Sequence, residues 1–357
     1  MDIKVEHAHG NSKTRIVGDF VHCFMRAAPY FPKKSLGQHF LHDGNIARNI
    51  VAALDPLPGE TVLEIGPGPG VLTQLLAERD CRVIAAEIDP RAIAALHARF
   101  PTNQYPNIRF IEGDILQLDL RELVRRTSDA VTPDAPVTDA VTPDAPVTDA
   151  VTPDAPVTDA VMTTGLAVDG FAPASMQLRV LGNLPYNITS QILFHLFDQH
   201  GTVRDAVMMM QREVAARILA PPGGKEYGIL SVMVGTHCAV RRCFHVSPNV
   251  FTPKPKVWST VLHFEFQDQV LAKIRNYSFF RRLVKATFGQ RRKTLSNSLR
   301  QLEPDIAGVS REAKEFLSRR PEQLSIEEFI TLANILAPNI PNTSDHFHGS
   351  HDGIREA

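Results

Sequence analysis

Short apolar runs alternate with longer amphipathic segments along most of the chain. Five apolar runs have the length of buried strands, namely 61–65, 82–88, 108–114, 178–183 and 205–210. Helical spacing of apolar residues predicts helices between and after them, at 71–79, 90–99, 189–199 and 212–220. This alternation implies a mostly parallel sheet with helices on both faces. The sequence therefore predicts an α/β, Rossmann-like fold.

Two later segments follow different patterns. The runs 229–242 and 258–266 are strand-like and contain no intervening helix, so we expect them to close one sheet edge as an antiparallel pair. From about residue 270 the periodicity is helical. We therefore expect an α/β domain over 30–266 and a small helical domain over 267–337.

A repeated decapeptide interrupts the α/β pattern. The sequence DAVTPDAPVT occurs three times in succession over 129–158 and a fourth copy begins at Asp159. It contains two prolines and no aromatic residue, so it cannot bury enough apolar surface to offset chain entropy. We expect 127–175 to be a disordered acidic insertion. A flexible extension is expected over 1–29 and a disordered tail over 338–357.

Charge is segregated along the chain, although the formal net charge is only −1. The segment between Arg126 and Arg179 holds eight Asp and no Lys or Arg, so without it the formal net charge would be +7. The window from Lys273 to Arg300 holds nine Lys or Arg and no acid. Such a window is typical of proteins with a polyanionic partner, and the plain alternative is a solvated basic helix face.

Composition bears on the compartment and on metal binding. No run reaches the roughly 18 apolar residues of a membrane span, and the N-terminal residues lack the order of a secretion signal. Four cysteines at irregular spacing in 357 residues suggest reduced thiols and a cytoplasmic protein. The stretch HCAVRRCFH, residues 237–245, fits no common zinc spacing, so we expect no metal cofactor.

The stretch LEIGPGPGVLT, residues 63–73, joins the first predicted strand to the first predicted helix. Gly66, Gly68 and Gly70 permit a tight turn and close approach of the backbone to a ligand. This pattern alone also fits a nicotinamide dehydrogenase. The two prolines between the glycines, however, remove amide donors that a pyrophosphate would need. S-adenosylmethionine carries no phosphate, so the loop favours that cofactor.

Three acidic residues lie at or near the ends of successive predicted strands. Glu64 precedes the glycine loop, where a negative charge suits an ammonium or sulfonium group. Glu87 ends the second strand, 17 residues beyond Gly70, where it can accept hydrogen bonds from ribose hydroxyls. Asp114 ends the third, where it can accept from an adenine amino group. Each acid alone is more often a helix cap or a surface residue, but the three in order indicate a nucleoside site.

The turn Asn183-Leu184-Pro185-Tyr186 follows the fourth predicted strand. The plain interpretation is a turn that leads into the next helix. The alternative is a site for a flipped-out base with a weakly nucleophilic aromatic amine. The Asn183 side-chain oxygen and the Leu184 carbonyl would accept its two N–H groups, while Tyr186 stacks on the ring. Phe251 could cover the opposite face, with core packing as its alternative.

Nine motifs spread over roughly 30–337 resemble those of the small-subunit ribosomal RNA adenine dimethyltransferases and occur in the same order. They are KKSLGQHFL, LEIGPGPGVLT, EIDP, EGDIL, GNLPYNITSQIL, MMQREVAARI, YGILSVM, FTPKPKVWS and RPEQLSIEEFI. NLPY combined with F-x-P-x-P-K-V is their most specific part. The resemblance implies a class I S-adenosylmethionine methyltransferase domain followed by a helical RNA-binding domain.

The resemblance also implies roles for individual residues. It places His39, Leu41, Gly66, Glu87, Asp114 and Asn183 at the cofactor, and we add Glu64 and Gly68 from the loop pattern. It gives the target adenine to Asn183, Tyr186 and Phe251, within a catalytic set that includes Leu184 and Pro185. Two positions depart from the family, which often has Asn in place of His39 and Asp in place of Trp258.

The implied activity is the transfer of two methyl groups to each of two adjacent adenosines in a hairpin near the 3′ end of the small-subunit RNA. The implied partner is that RNA within a pre-30S particle, bound by a monomer. We expect phosphate contacts from the basic side chains of the QRRK and PKPK segments, namely Arg291, Arg292, Lys293, Lys254 and Lys256. The alternatives are a large-subunit adenine methyltransferase of the macrolide-resistance type, a non-catalytic assembly factor and, third, a dehydrogenase.

Overall fold

A seven-stranded sheet organises the chain. The computed structural model describes residues 37–129, 177–199, 201–300 and 311–337. Nine strands lie within these ranges: β1 Phe40–Leu41, β2 Thr61–Ile65, β3 Arg82–Glu87, β4 Ile108–Glu112, β5 Leu178–Asn183, β6 Val203–Gln211, β7 Cys238–Val246, β8 Phe251–Thr252 and β9 Ser259–Phe266. β1 and β8 form a separate antiparallel pair.

The seven strands of the main sheet lie in the order β4-β3-β2-β5-β6-β9-β7. The first five are parallel, whereas β9 is antiparallel to both β6 and β7. From β2 the chain runs outward through β3 to β4 and then crosses to β5 on the other side of β2. The strand order therefore reverses between β2 and β5, which is where ligands bind in open α/β sheets.

Helices connect the strands and cover the sheet. In the described ranges they are α1 Gly44–Leu54, α2 Val71–Ala77, α3 Pro90–Arg99, α4 Leu120–Asp129, α5 Thr189–Asp198, α6 Arg212–Ile218, α7 Ile229–His237, α8 Tyr277–Gly289, α9 Leu295–Ser298, α10 Arg311–Leu317 and α11 Ile326–Leu336. The helices predicted at 71–79, 90–99, 189–199 and 212–220 are confirmed, with ends displaced by up to two residues.

The helix α1 was not predicted, although its sequence carries the necessary signals. Asp43 caps it by accepting hydrogen bonds from the main-chain N–H groups of Asn45 and Ile46. Its apolar residues recur at helical spacing, and Ile50 and Leu54 are among those buried. α1 packs beside α2 and thereby covers the sheet next to β5 and β6.

The prediction of a strand over 229–242 is wrong in its first part, because 229–237 forms α7. The Ser231 hydroxyl accepts from the Gly228 N–H and donates to the Arg217 carbonyl, which fixes the start of the helix. Consecutive residues such as Val232 and Met233 are fully buried, so the helix shows no polar face to distinguish it from a strand. The predicted antiparallel edge is confirmed by the pairing of β7 with β9.

The insertion predicted at 127–175 begins too early, because α4 continues to Asp129. The rest of that segment, together with 1–29 and 338–357, lies outside the described residues. The helical segment after β9 packs on the sheet domain: Tyr277 shares a hydrogen bond of 2.9 Å with His237, whose ring stacks on Phe197 at 4.4 Å. Buried residues of both segments belong to a single apolar core. The boundary at 266/267 stays a prediction.

Candidate active site

A cleft of about 290 Å³ lies at the carboxyl ends of the parallel strands, where β2 and β5 adjoin. Its walls come from three parts of the chain: the segment before and within β1, the loops after β2, β3 and β4, and the NLPY turn after β5. The topology therefore collects residues that are far apart in sequence at the reversal of strand order.

The glycine loop leaves space for a ligand on one side and packs closely on the other. Gly66 lines the cleft with φ +65°, and a Cβ added there would meet no atom within 4 Å, so it would project into open space. Gly68 has φ +52°, and a Cβ there would approach the ring of Phe40 to 3.1 Å. A side chain at either position would be strained. Both predicted glycines are therefore part of the cleft wall.

Glu87 ends β3 in the wall of the cleft and is only 4% exposed. Its carboxylate accepts hydrogen bonds from the N–H groups of Gly68, at 3.1 Å, and Asp89, at 3.0 Å. Burial raises the pKa of Glu87 above its usual value. The next residue, Ile88, also lines the cleft and is 50% exposed, although it was not predicted as a site residue. The signal available in the sequence was the position of Ile88 directly after Glu87, in the EIDP turn that leads from β3 into α3.

Asp114 also lines the cleft, just beyond the end of β4. Its Oδ1 accepts from the Leu116 N–H at 3.0 Å, so it also caps the short 3₁₀ turn Ile115–Gln117. Gly113 and Ile115 lie beside it in the wall. The cap interpretation and the site interpretation are thus compatible for this residue, because one carboxylate has several lone pairs.

Glu64 does not reach the cleft. It is 1% exposed and accepts a hydrogen bond of 2.6 Å from the hydroxyl of Thr73 in α2. Burial raises the pKa of Glu64 to about 7. This geometry therefore does not support the predicted direct contact with the cofactor, because the Glu64 carboxyl is buried against α2 and is absent from the cleft wall.

The NLPY turn lies in the wall of the cleft. The Asn183 Nδ2 donates to the His39 carbonyl at 2.9 Å, and the Leu184 N–H donates to the Met209 carbonyl at 3.0 Å. No donor among the described residues pairs with the Asn183 Oδ1 or the Leu184 carbonyl. The two predicted acceptors are therefore available, and Pro185, also in the wall, accepts from the Thr189 hydroxyl at the start of α5.

Tyr186 is held from two directions. Its hydroxyl shares a hydrogen bond of 2.7 Å with the Ser259 hydroxyl at the start of β9. Its ring stacks on the imidazole of His39, with centroids 5.3 Å apart and planes at 29°. His39 in turn makes a hydrogen bond of 2.7 Å from Nδ1 to the Pro253 carbonyl. Burial raises the pKa of Tyr186, so the phenol stays protonated.

Phe251 and Leu41 do not line the cleft. They face each other in the β1–β8 pair and are 3% and 4% exposed. Both belong to the apolar core under the sheet. The core-packing alternative for Phe251 therefore describes this geometry, and the ring found beside Tyr186 is that of His39. A sequence shows that an aromatic residue precedes a proline turn, but not which way its ring points.

The predicted RNA-binding residues differ in their surroundings. The Arg291 guanidinium donates to the carbonyls of Gly224, at 2.8 Å, and Lys225, at 2.5 Å, so it fastens the loop before α7. Its prediction as a phosphate contact is not supported by this geometry. Arg292 and Lys293 are exposed. Lys254 and Lys256 are also exposed, in the loop between β8 and β9.

The described ranges contain no group of three or more His, Cys, Asp or Glu that could hold a metal ion. Within the 237–245 stretch, His237 is buried and bonds the Met233 carbonyl and Tyr277. In the part of the chain that the structure covers, no helix is long and apolar enough to cross a membrane.

A parallel sheet with an antiparallel edge, a glycine loop after its first strand and acids after the next two define a class I S-adenosylmethionine-dependent methyltransferase. The chain matches the family model for ribosomal RNA adenine dimethylase over residues 32–337, and it belongs to that family. It is therefore an rRNA adenine dimethyltransferase with S-adenosylmethionine as methyl donor, as the motifs indicated.

Relatives from several bacteria cover most of the chain. The protein named ribosomal RNA small subunit methyltransferase A is 33% identical in Syntrophus aciditrophicus, over 89% of this chain and 99% of the relative. The protein of the same name from Porphyromonas gingivalis is 37% identical, over 85% of this chain and 97% of the relative.

Two solved structures share the fold. One is a dimethyladenosine transferase from Plasmodium falciparum, with a TM-score of 0.59, 22% identity and coverage of 82% of this chain and 96% of that one. The other is the 23S rRNA methyltransferase ErmE, with a TM-score of 0.52, 22% identity and coverage of 83% and 99%.

Proposed function

We propose that this enzyme dimethylates the 6-amino groups of two adjacent adenosines in the 3′-terminal hairpin of 16S rRNA. It acts as a monomer on a pre-30S particle in the cytoplasm and needs no metal. The small-subunit names of the bacterial relatives support this choice over the large-subunit alternative.

The observation that carries the chemistry is the Asn183–His39 hydrogen bond, which leaves the amide oxygen as an acceptor at the cleft.

The cleft suits a nucleoside cofactor that carries a sulfonium group. Gly66 leaves room where any side chain would project, and the buried Glu87 offers carboxylate oxygens suited to ribose hydroxyls. Ile88 presents an exposed apolar surface for the face of an adenine ring, and Asp114 offers an acceptor for its amino group. S-adenosylmethionine supplies an activated methyl group. The residues of this chain position the acceptor and exclude water.

The acceptor amine needs help because its lone pair is delocalised into the purine ring. The Asn183 Oδ1 and the Leu184 carbonyl accept its two N–H groups and draw the nitrogen toward pyramidal geometry. This makes the lone pair available for in-line attack on the methyl group. No strong base is required, because the methylated nitrogen becomes acidic and releases its proton to water. Tyr186, kept neutral by burial, orients the base by stacking.

A flipped-out adenine must find an aromatic surface in the cleft. The stacked pair of Tyr186 and His39 offers one that is already fixed by hydrogen bonds to Ser259 and to the Pro253 carbonyl. The electron-rich face of Tyr186 also favours the positive charge that passes from sulfur to nitrogen during transfer. The role first given to Phe251 would require that its ring leave the core.

Mass analysis of the 16S 3′ hairpin tests this function. In a strain that lacks the protein, we expect the two adjacent adenosines to be unmethylated. Wild-type protein should restore four methyl groups, and Asn183→Ala should not. Loss of methylation in 23S rRNA instead would favour the large-subunit alternative. Full methylation in the deletion strain, or restoration by Asn183→Ala, would refute the proposal.

A further inference from the structure

The loop 253–258, between β8 and β9, combines exposed apolar and cationic side chains. Trp258 is 47% exposed and Val257 is 43% exposed, which makes them two of the five large exposed apolar residues in the described ranges. Lys254 and Lys256 in the same loop are exposed as well. We call residues 253–258 the Lys-Trp loop. Val257 and Trp258 are neighbours, so they expose apolar surface together, and contiguous exposed apolar surface rimmed by polar residues marks an interaction site.

Both ends of the Lys-Trp loop are fastened to the proposed adenine site. At one end the Pro253 carbonyl bonds the His39 ring, and at the other Ser259, the neighbour of Trp258, bonds the Tyr186 hydroxyl. The Trp258 carbonyl also accepts from the Arg212 N–H at 2.9 Å. The backbone of Trp258 is therefore held by a hydrogen bond, and the next residue, Ser259, is the hydrogen-bond partner of Tyr186.

We propose that Trp258 stacks on an unpaired nucleobase that neighbours the target adenosine, while Lys254 and Lys256 contact the phosphates on either side. This inference rests on the proposed function, because it assigns the substrate strand its path out of the cleft. Aromatic rings interleaved with cations are the usual platform for single-stranded nucleic acid, since every base has a stacking face.

The charge around the indole favours RNA over a protein partner. The segment 251–261 contains two lysines and no acid. Arg212, whose N–H holds the Trp258 backbone, is exposed, and the adjacent Glu213 is paired with Arg217 at 2.6 Å. An apolar docking site for a protein would not need this cationic border. A base that has left its helix to enter the cleft also leaves its neighbours unstacked and in need of a surface.

The chain offers a direct probe, because Trp258 is its only tryptophan. We would titrate the full-length protein with a dye-labelled RNA hairpin that carries the two adenosines in its loop, and follow RNA anisotropy and indole fluorescence together. Stacking should quench the indole in step with binding. The same hairpin with abasic sites beside the adenosines should bind without quenching. Binding with an unchanged indole signal would overturn the proposal.

Methylation kinetics on undermethylated small subunits provide the second measurement. Trp258→Ala should raise KM for the subunits about tenfold with little change in kcat, since stacking contributes binding in ground and transition states alike. Trp258→Phe should recover most of the loss. Leu57→Ala, at a similarly exposed apolar residue that precedes β2 at the amino ends of the parallel strands, should have no effect. An unchanged KM in Trp258→Ala would overturn the proposal, whereas absent methylation by the wild type would refute the proposed function instead.

Discussion

The side-chain amide of Asn183 donates from Nδ2 to the main-chain carbonyl of His39 across 2.9 Å, although 144 residues separate the two in sequence. This contact sets which end of the amide faces a ligand. An amide that was free to rotate would present its NH₂ group half of the time, and that group repels an amine N–H. The segment before β1 and the carboxyl end of β5 thus orient the acceptor together.

Asn183→Ala should lower kcat by about 100-fold or more at saturating cofactor, because an acceptor that acts in the transition state is lost. Steady-state methyl transfer to small subunits measures this. Asn249→Ala, at an exposed residue of the 3₁₀ turn before β8, is the matched control and should leave kcat unchanged. A normal kcat in Asn183→Ala would show that the acceptor has been misassigned.

Glu64 should make the free protein less stable as the pH rises from about 5 to 8. Burial raises its pKa in the fold to about 7, from 4.5 in the unfolded chain, so between these values the folded state holds a proton that the unfolded state has released. The contribution of Glu64 to the free energy of unfolding therefore falls by up to about 3 kcal/mol across this range and does not change further above it.

Denaturant unfolding at pH 5 and pH 8 measures the effect of Glu64. Glu64→Gln keeps an acceptor for the Thr73 hydroxyl but does not titrate, so its loss of stability between the two pH values should be smaller than that of the wild type. Glu78→Gln, at an exposed position beside α2, should behave like the wild type. Equal pH dependence in Glu64→Gln and the wild type would contradict the buried, protonated carboxyl.

Substitution of Arg291 should lower stability, whereas substitution of its neighbours Arg292 and Lys293 should weaken RNA binding. Arg291→Ala removes two hydrogen bonds to the loop before α7 and should lower stability by about 1–3 kcal/mol, measured by chemical unfolding. The double variant Arg292→Ala/Lys293→Ala should unfold normally. It should weaken RNA binding and reduce the slope of log affinity against log salt by about 1.5–2. If Arg291→Ala is as stable as the wild type and shows the same reduced slope of log affinity against log salt, the prediction that Arg291 contacts an RNA phosphate would be restored.

Deletion of 129–158 should leave methylation intact, because the repeat carries only acidic and small residues and we find no functional reason for it. The repeat period places Asp159 where Asp129 stood, so the last residue of α4 is unchanged. The assay compares methyl transfer by the shortened and full-length proteins. A loss of kcat with an unchanged melting temperature would assign the repeat a role in the reaction.

The sequence alone determined the parts of this protein that depend on local periodicity and on short motifs. The alternating apolar runs predicted the parallel strands and their helices, and the positions of the strand ends predicted Glu87, Asp114 and the NLPY turn as site residues. These residues line one cleft because the carboxyl ends of parallel strands meet at the same end of a sheet, and their roles toward cofactor and adenine stay predictions. The failure at α7 has the same origin, since a helix buried on all sides has no polar period to read.

The contacts between side chains, in contrast, follow from how the chain packs in three dimensions. In the folded chain Phe251 packs in the core, and the His39 ring stacks on Tyr186. Glu64 is buried away from the cleft, and Arg291 donates hydrogen bonds to two main-chain carbonyls. Each outcome depends on contacts between segments distant in sequence, where packing and unpaired polar groups compete for the same side chain. A local pattern carries the residue type for such a contact but not the direction in which the side chain points.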